Sequence, residues 1–256
     1  FIAPHFPLIV PQEYFDLYPL ADIPLPKPTD QYHQKTHPWW KAFNNSIIID
    51  RFFKDDEHRK IAIASYLGLC TFVDEFVGDI LRALGKTGLA ADTRVAYVSD
   101  HGENLGAWGL WGKSTMNEES AGIPLILRGP DVGKGKVVNT PVSLLDFHPT
   151  ILECIGAPAS PEDADLPGKS LFQIADDDDD STRTILSQYH GAASTSAAYM
   201  LRQGSYKYVH YVGFAPELFD LENDPEETTN LAEEEKYRTV LDDFEAKLRG
   251  LLDPED

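Results

Sequence analysis

Arg94-Val95-Ala96-Tyr97-Val98-Ser99-Asp100-His101-Gly102-Glu103 carries the strongest signal in the chain. Residues 94–99 read as a short apolar strand. A helix-period pattern precedes them: Leu69, Val73, Phe76, Ile80 and Leu84 recur at spacings of three and four within 57–84, and Gly85 offers a stop. Helix, short connection and buried strand make an α/β unit. In such sheets, sites form at the carboxyl ends of strands, where Asp100 and His101 stand. Side by side they offer a hard oxygen and an imidazole nitrogen to a divalent metal. Gly102 lets the backbone turn away at once. The competing reading is a surface turn with a hydrogen-bonded Asp.

Outward from this stretch, Ile123–Leu127 is a second strand candidate, closed by the turn signal Gly129-Pro130, and 143–155 reads as a helix starting at the possible cap Ser143. Residues 184–189, 197–202 and 205–211 are closely spaced strand candidates that predict an antiparallel sheet. An amphipathic helix over 233–252 ends the chain. Upstream, 8–56 reads as loop-rich, because Pro24-Leu25-Pro26-Lys27-Pro28 suits neither a central strand nor a helix interior. His37-Pro38-Trp39-Trp40 is either a pocket wall or an aromatic plug over the core, and the plug is preferred because Trp buries large area. Asp176–Asp180, five consecutive aspartates, reads as a solvated loop in preference to a calcium site.

The 256 residues suit one large domain or a domain plus a subdomain. Lys+Arg is 22 against Asp+Glu 42, a formal net charge of −20. That argues against nucleic-acid binding, which rests on phosphate neutralisation, and against docking on an anionic membrane. The longest mostly apolar run, Ile61–Val73, reads as too short and too polar to span a bilayer. Cys70 and Cys154 lie in apolar surroundings and are expected as buried free thiols. The chain shows neither an initiator Met nor a signal peptide. It opens on Phe1-Ile2-Ala3-Pro4-His5-Phe6-Pro7, which reads as the end of a buried strand running into a site loop, so an N-terminal part is expected to be missing.

So acidic a chain would need a local cation to act on an anionic ester. Lys113, in Gly109-Leu110-Trp111-Gly112-Lys113-Ser114-Thr115, lies between a Gly and two hydroxyl residues and suits an oxyanion contact; the alternative is an ordinary surface Lys. It is no P-loop, since the first Gly of that pattern is replaced by Ala107. His5, between two prolines, could donate a proton to a leaving oxygen or bind an anion, and equally could be a packed core histidine. His33, His37, His58, His148, His190 and His210 lack such a context, and His190 and His210 rank next.

Asp100-His101-Gly102-Glu103, Gly112-Lys113-Ser114-Thr115-Met116, Glu118-Glu119-Ser120, Ile123-Pro124-Leu125-Ile126 and Gly129-Pro130 together resemble the sulfatase family of the alkaline phosphatase superfamily. Ala3–Pro7 resembles its upstream His loop, Thr140–Thr150 a helix start, and Tyr206-Lys207-Tyr208 with Glu217–Glu227 and Asn230-Leu231 its C-terminal subdomain. Asp-His, where many arylsulfatases have Asp-Asn, is similar to choline-sulfatase-like and phosphonate-monoesterase-like members.

The resemblance implies an alkaline-phosphatase-like α/β fold. Residues 1–175 would be the C-terminal part of the catalytic domain, a mixed sheet with helices on both faces. Residues 176–256 would add a small antiparallel sheet and helix. It also implies cleavage of a sulfate monoester by a formylglycine nucleophile beside a divalent ion, calcium foremost, with manganese or magnesium as alternatives. Asp100 and His101 would be metal ligands. Lys113 and His5 would contact the sulfate, and one of them would assist the leaving alcohol oxygen. Neither cysteine, nor any serine, begins the C/S-x-P-x-R motif that yields formylglycine. The chain is therefore expected to be a fragment, inactive alone. The alternatives are a phosphonate monoester or phosphodiester hydrolase of the same superfamily, and a non-catalytic relative that binds partners through its acidic surface. Trp39, Trp40, Trp108 and Trp111 could box a quaternary ammonium, with core packing preferred. A small anionic sulfate ester is the expected partner, with no nucleic acid and no membrane. Family C-terminal segments often join subunit contacts, which leaves a homo-oligomer open. A cytoplasmic location is expected, with a periplasmic one if a signal peptide was lost.

Overall fold

A computed structural model describes residues 1–27, 37–47, 49–163 and 165–254, so Pro28 and His33 lie outside the described residues. Chain contacts divide it into two compact units, Phe1–Pro130 with Ala193–Thr195, and Asp131–Ala192 with Ser196–Asp256. The sequence boundary at 175/176 falls inside the second unit.

In the first unit, α1 (Gln12–Phe15) and α2 (Pro38–Ser46) interrupt the segment read as loop. Pro38 opens α2 instead of breaking it: at the first helical position its missing N–H costs nothing and its fixed φ suits the helix. Trp39, Trp40 and Phe43 are fully buried there, with Trp39 stacked on Phe43 at 5.2 Å. This is the aromatic plug.

The third helix, α3 (Asp56–Lys86), starts where the Asp55 carboxylate accepts the His58 N–H at 3.0 Å. One face, with Ile63, Ala64, Leu69 and Val73, is buried. At Gly68 the Tyr14 carbonyl passes so close that a Cβ would sit 3.0 Å from it. The apolar run expected to end at Val73 lies within a 31-residue helix, and by length and composition alone α3 could cross a bilayer. Its packing on α1 accounts for part of that apolar content.

β1 (Val95–Val98) pairs antiparallel with β2 (Leu125–Arg128), Val98 opposite Leu125, and the single-turn helix α4 (Glu118–Ala121) precedes β2. Tyr97 and Ile126 are directly opposite each other and 41% and 60% exposed. Phe1 and Ile2, expected at the end of a buried strand, are 75% and 84% exposed and belong to no strand, since no described strand pairs with them.

In the second unit, Ser143 caps a 3-10 turn at Leu144–Asp146 that runs into α5 (Phe147–Ile155): Ser143 Oγ accepts the Leu145 N–H at 3.2 Å, and Asp146 returns a bond to the Ser143 N–H at 2.8 Å. The buried Asp146 also pairs with Arg183 at 2.6 Å. α6 (Leu171–Asp176) leads into the aspartate run, which is tied down: Asp177 pairs with Lys169 and Asp179 accepts two bonds from Asn139.

β3 (Thr184–Tyr189), β4 (Ala198–Gln203), β5 (Tyr206–Tyr211) and β6 (Glu217–Asp220) form an antiparallel sheet in sequential order. α7 (Arg238–Leu251) lays Leu241, Phe244 and Leu248 on its Leu201, Tyr208 and Leu218. Cys70 and Cys154 are free thiols, half-buried and not enclosed. His190 meets the Tyr199 ring edge-on and His210 lies tilted beside it, which assigns them to packing around the sheet.

Candidate active site

The site begins where β1 ends. Ser99 Oγ donates to the His101 carbonyl at 2.7 Å, and Asp100 Oδ1 accepts the His101 N–H at 3.1 Å, so a two-residue turn sets the two side chains together. His101 Nδ1 lies 2.8 Å from the Gly102 carbonyl. A carbonyl only accepts, so Nδ1 donates in this contact and Nε2 is the ring nitrogen turned away from it. That Nε2 is 3.6 Å from Asp100 Oδ2.

Slight burial pushes the Asp100 carboxyl up. Backbone N–H bonds at 100 and 101 and the nearby His101 and Lys113 charges outweigh it, holding the group below the ordinary carboxylate range. Gly102 is required here: its N–H donates to the Ser120 carbonyl at 2.8 Å, and a Cβ would lie 2.1 Å from the Glu119 carbonyl oxygen.

From Glu103 to Gly112 the chain forms a loop whose Ala107, Trp108, Leu110 and Trp111 are buried. Asn104 N–H donates to the Gly112 carbonyl at 2.7 Å, and Glu103 Oε1 accepts from the Leu105 and Gly112 amides at 3.1 and 2.5 Å. Lys113 follows directly. Its ammonium lies over the Phe6 ring, 5.2 Å from the centroid, and donates to His5 Nε2. His5 Nδ1 is turned to the Phe6 carbonyl at 2.7 Å, so Nε2 is the accepting nitrogen. The His5 and His101 rings are 5.6 Å apart.

A cavity of about 300 Å³ is lined by His5, Tyr66, Asp100, His101, Gly102 and Glu103, among others. The structure thus brings Asp100, His101 and His5 to one cavity and joins Lys113 to it through His5. Sequence reading missed Tyr66, which reaches the cavity from α3. Burial, with Cys70 and Glu103 nearby, pushes its phenol up to about 12, so it stays a donor. No local pattern marks it, since only the tertiary approach of α3 makes it part of the wall. Burial also pushes the Cys70 thiol up, which disfavours a nucleophilic thiolate.

The Asp100 carboxylate and His101 Nε2, the ring nitrogen not engaged by the Gly102 carbonyl, fit a divalent cation as two members of a ligand set. Among the described residues, no group of three or more His, Cys, Asp or Glu is placed to hold a metal. The four tryptophans line no box. Trp39, Trp40, Trp108 and Trp111 are all buried, and Trp111 Nε1 donates to Asp50 at 2.9 Å.

The sulfatase family profile matches residues 1–157, and a profile described as N-sulphoglucosamine sulphohydrolase, C-terminal, matches 106–253. The chain is 33% identical over 244 residues to arylsulfatase K of Xenopus laevis, covering 87% of this chain and 44% of that protein. It is 31% identical over 233 residues to choline-sulfatase of Rhizobium meliloti (strain 1021), covering 91% and 45%. Phosphonate monoester hydrolase SpPMH from Silicibacter pomeroyi shares its fold with a TM-score of 0.80 at 27% identity, over 96% of this chain and 53% of that one. The chain therefore spans about half the length of the relatives it matches.

Proposed function

This chain belongs to the sulfatase family, and from that premise we propose that it supplies the metal- and anion-binding part of a sulfuric ester hydrolase acting on a small anionic sulfate monoester. The observation that carries the reading is the gathering of Asp100, His101 and the Lys113–His5 pair at one cavity. Asp100 and His101 Nε2 would hold the divalent cation, calcium foremost, which when bound supplies a Lewis acid for the sulfate oxygens.

Lys113 brings a full positive charge and several donors to an otherwise acidic chain, suited to a non-bridging sulfate oxygen. Its donation to His5 places the shared proton on the lysine nitrogen and leaves His5 Nε2 as acceptor. One of the two would give a proton to the departing alcohol oxygen. Tyr66, held neutral, adds a hydroxyl donor to the wall.

The formylglycine nucleophile that the family resemblance implies would come from outside these 256 residues, in which no C/S-x-P-x-R occurs. The outward-facing apolar pair Tyr97 and Ile126 supports a fold completed by further chain. The likeness to SpPMH favours a second reading, a phosphonate monoester or phosphodiester hydrolase on the same scaffold.

The test is kcat/KM for matched sulfate and phosphonate monoesters, using protein in which this chain is joined to a C/S-x-P-x-R segment, with and without chelator. Sulfate is expected to be preferred, with activity lost on chelation and in Asp100→Ala. A preference for the phosphonate installs the second reading.

A further inference from the structure

We propose that Glu103 is a positioning residue that sets Lys113 at the anion cavity; this rests on the reading of Lys113 as the anion contact. One carboxylate oxygen, Glu103 Oε1, accepts from two backbone amides, Leu105 at 3.1 Å and Gly112 at 2.5 Å. Gly112 immediately precedes Lys113. The carbonyl of Gly112 is held too, by the Asn104 N–H at 2.7 Å. Residue 112 is thus gripped at both its polar groups, and that fixes the direction in which the chain delivers the next side chain.

The grip is needed because the backbone on either side of Lys113 is left-handed: φ is +86° at Gly112 and +84° at Ser114. Ser114 has no glycine freedom, so its conformation persists only if its surroundings impose it. Glu103 also lines the cavity. Spending its charge on two amides lets a carboxylate face a site for anions with less repulsion. The side chain acts through Gly112 on Lys113.

The test is NMR of the 256-residue chain with lysine labelled at Cε. The Lys113 ε-methylene, close to the Phe6 ring, is expected at an upfield-shifted position, assigned by its loss in Lys113→Met. Glu103→Ala is expected to abolish that shift. Glu103→Gln, which retains an acceptor oxygen at the same reach, is expected to keep most of it. Resonances of β1 and β2, in the same unit as Glu103, report that the fold there is intact.

Hydrogen exchange at the Gly112 amide is the second measurement, and in the unsubstituted chain it needs no variant to fold. It should be protected there and about 10- to 100-fold faster in Glu103→Ala, the loss expected for a hydrogen bond to a charged group. Retention of the upfield Lys113 shift in Glu103→Ala, equal loss in the Ala and Gln variants, or an unprotected Gly112 amide in the unsubstituted chain each overturns the proposal. Because the readout is geometry, a protein that shows these signatures yet cleaves no sulfate ester refutes only the functional reading.

Discussion

The ammonium of Lys113 donates to Nε2 of His5, a residue 108 positions earlier in the chain. Phe6 holds the other side of the contact, its carbonyl fixing His5 Nδ1 and its ring lying beneath Lys113. Lys113→Met and His5→Ala are each expected to lower kcat/KM for a sulfate monoester by about 10- to 100-fold, the loss of one charge-assisted contact. The double variant should lose less than the product of the two, because the residues act as a pair. Steady-state kinetics of the four proteins, each joined to a C/S-x-P-x-R segment, checks both statements.

Gly102 and Gly112 should respond differently to alanine. At Gly102 the new Cβ meets the Glu119 carbonyl at 2.1 Å, and neither backbone can yield without moving the Asp100-His101 turn. Gly102→Ala is expected to cost about 1–3 kcal/mol and to disturb His101. At Gly112 the nearest atom is 3.9 Å away, but φ is +86°. Gly112→Ala should cost roughly 1–2 kcal/mol through backbone strain alone. Denaturant unfolding with histidine NMR separates the two: both lose stability, and only Gly102→Ala shifts His101.

Asp50 links helix α3 to the buried loop, pairing with Arg59 at 2.8 Å and accepting from Trp111. The Arg59 hydrogen bonds, opposed by burial and helped by Trp111, hold its carboxyl below the ordinary range. A depressed carboxyl contributes stability above its unfolded pKa, about 4, and that stability is lost as pH falls through the lower folded value. Stability should therefore fall more steeply below about pH 4 in the parent chain than in Asp50→Asn. At pH 7 the substitution should cost roughly 1 kcal/mol, since the pair is partly exposed. Urea unfolding across pH measures both.

The aromatic plug of α2 is a stability element. Trp39→Ala or Trp40→Ala is expected to cost about 3–5 kcal/mol, because each ring is fully buried and its neighbours cannot close the void. Calorimetric unfolding tests this. A cost below about 1 kcal/mol would show that the rings are dispensable packing.

What was legible in the sequence follows from which interactions are local. The helix α3 could be read because its apolar residues recur at helical spacing, and the strand at 184–189 because closely spaced strand candidates follow it, with Gly204 as a turn. The Asp100-His101 turn was legible because its ligand-type residues are adjacent and follow a strand. α2 was hidden: it lies in a stretch whose many prolines and aromatics read as loop, and Pro38 stands at its first position, where proline is tolerated. β6 is four residues long and exists through its pairing with β5. Tyr66 was missed because it enters the site from a distant helix, and Glu103, read within its motif, carried no role because its hydrogen bonds run to backbone amides that leave no pattern along the chain.

The most direct test of the central claim, that these residues form the metal- and anion-binding part of a sulfatase whose nucleophile lies elsewhere, is turnover by the 256-residue chain itself. The chain is purified free of host enzymes and assayed with calcium and a chromogenic sulfate monoester, alone and together with a segment carrying C-x-P-x-R. The expected result is no hydrolysis above buffer by the chain alone, and calcium-dependent hydrolysis, abolished by Asp100→Ala, when the segment is present. Hydrolysis by the chain alone would contradict the claim.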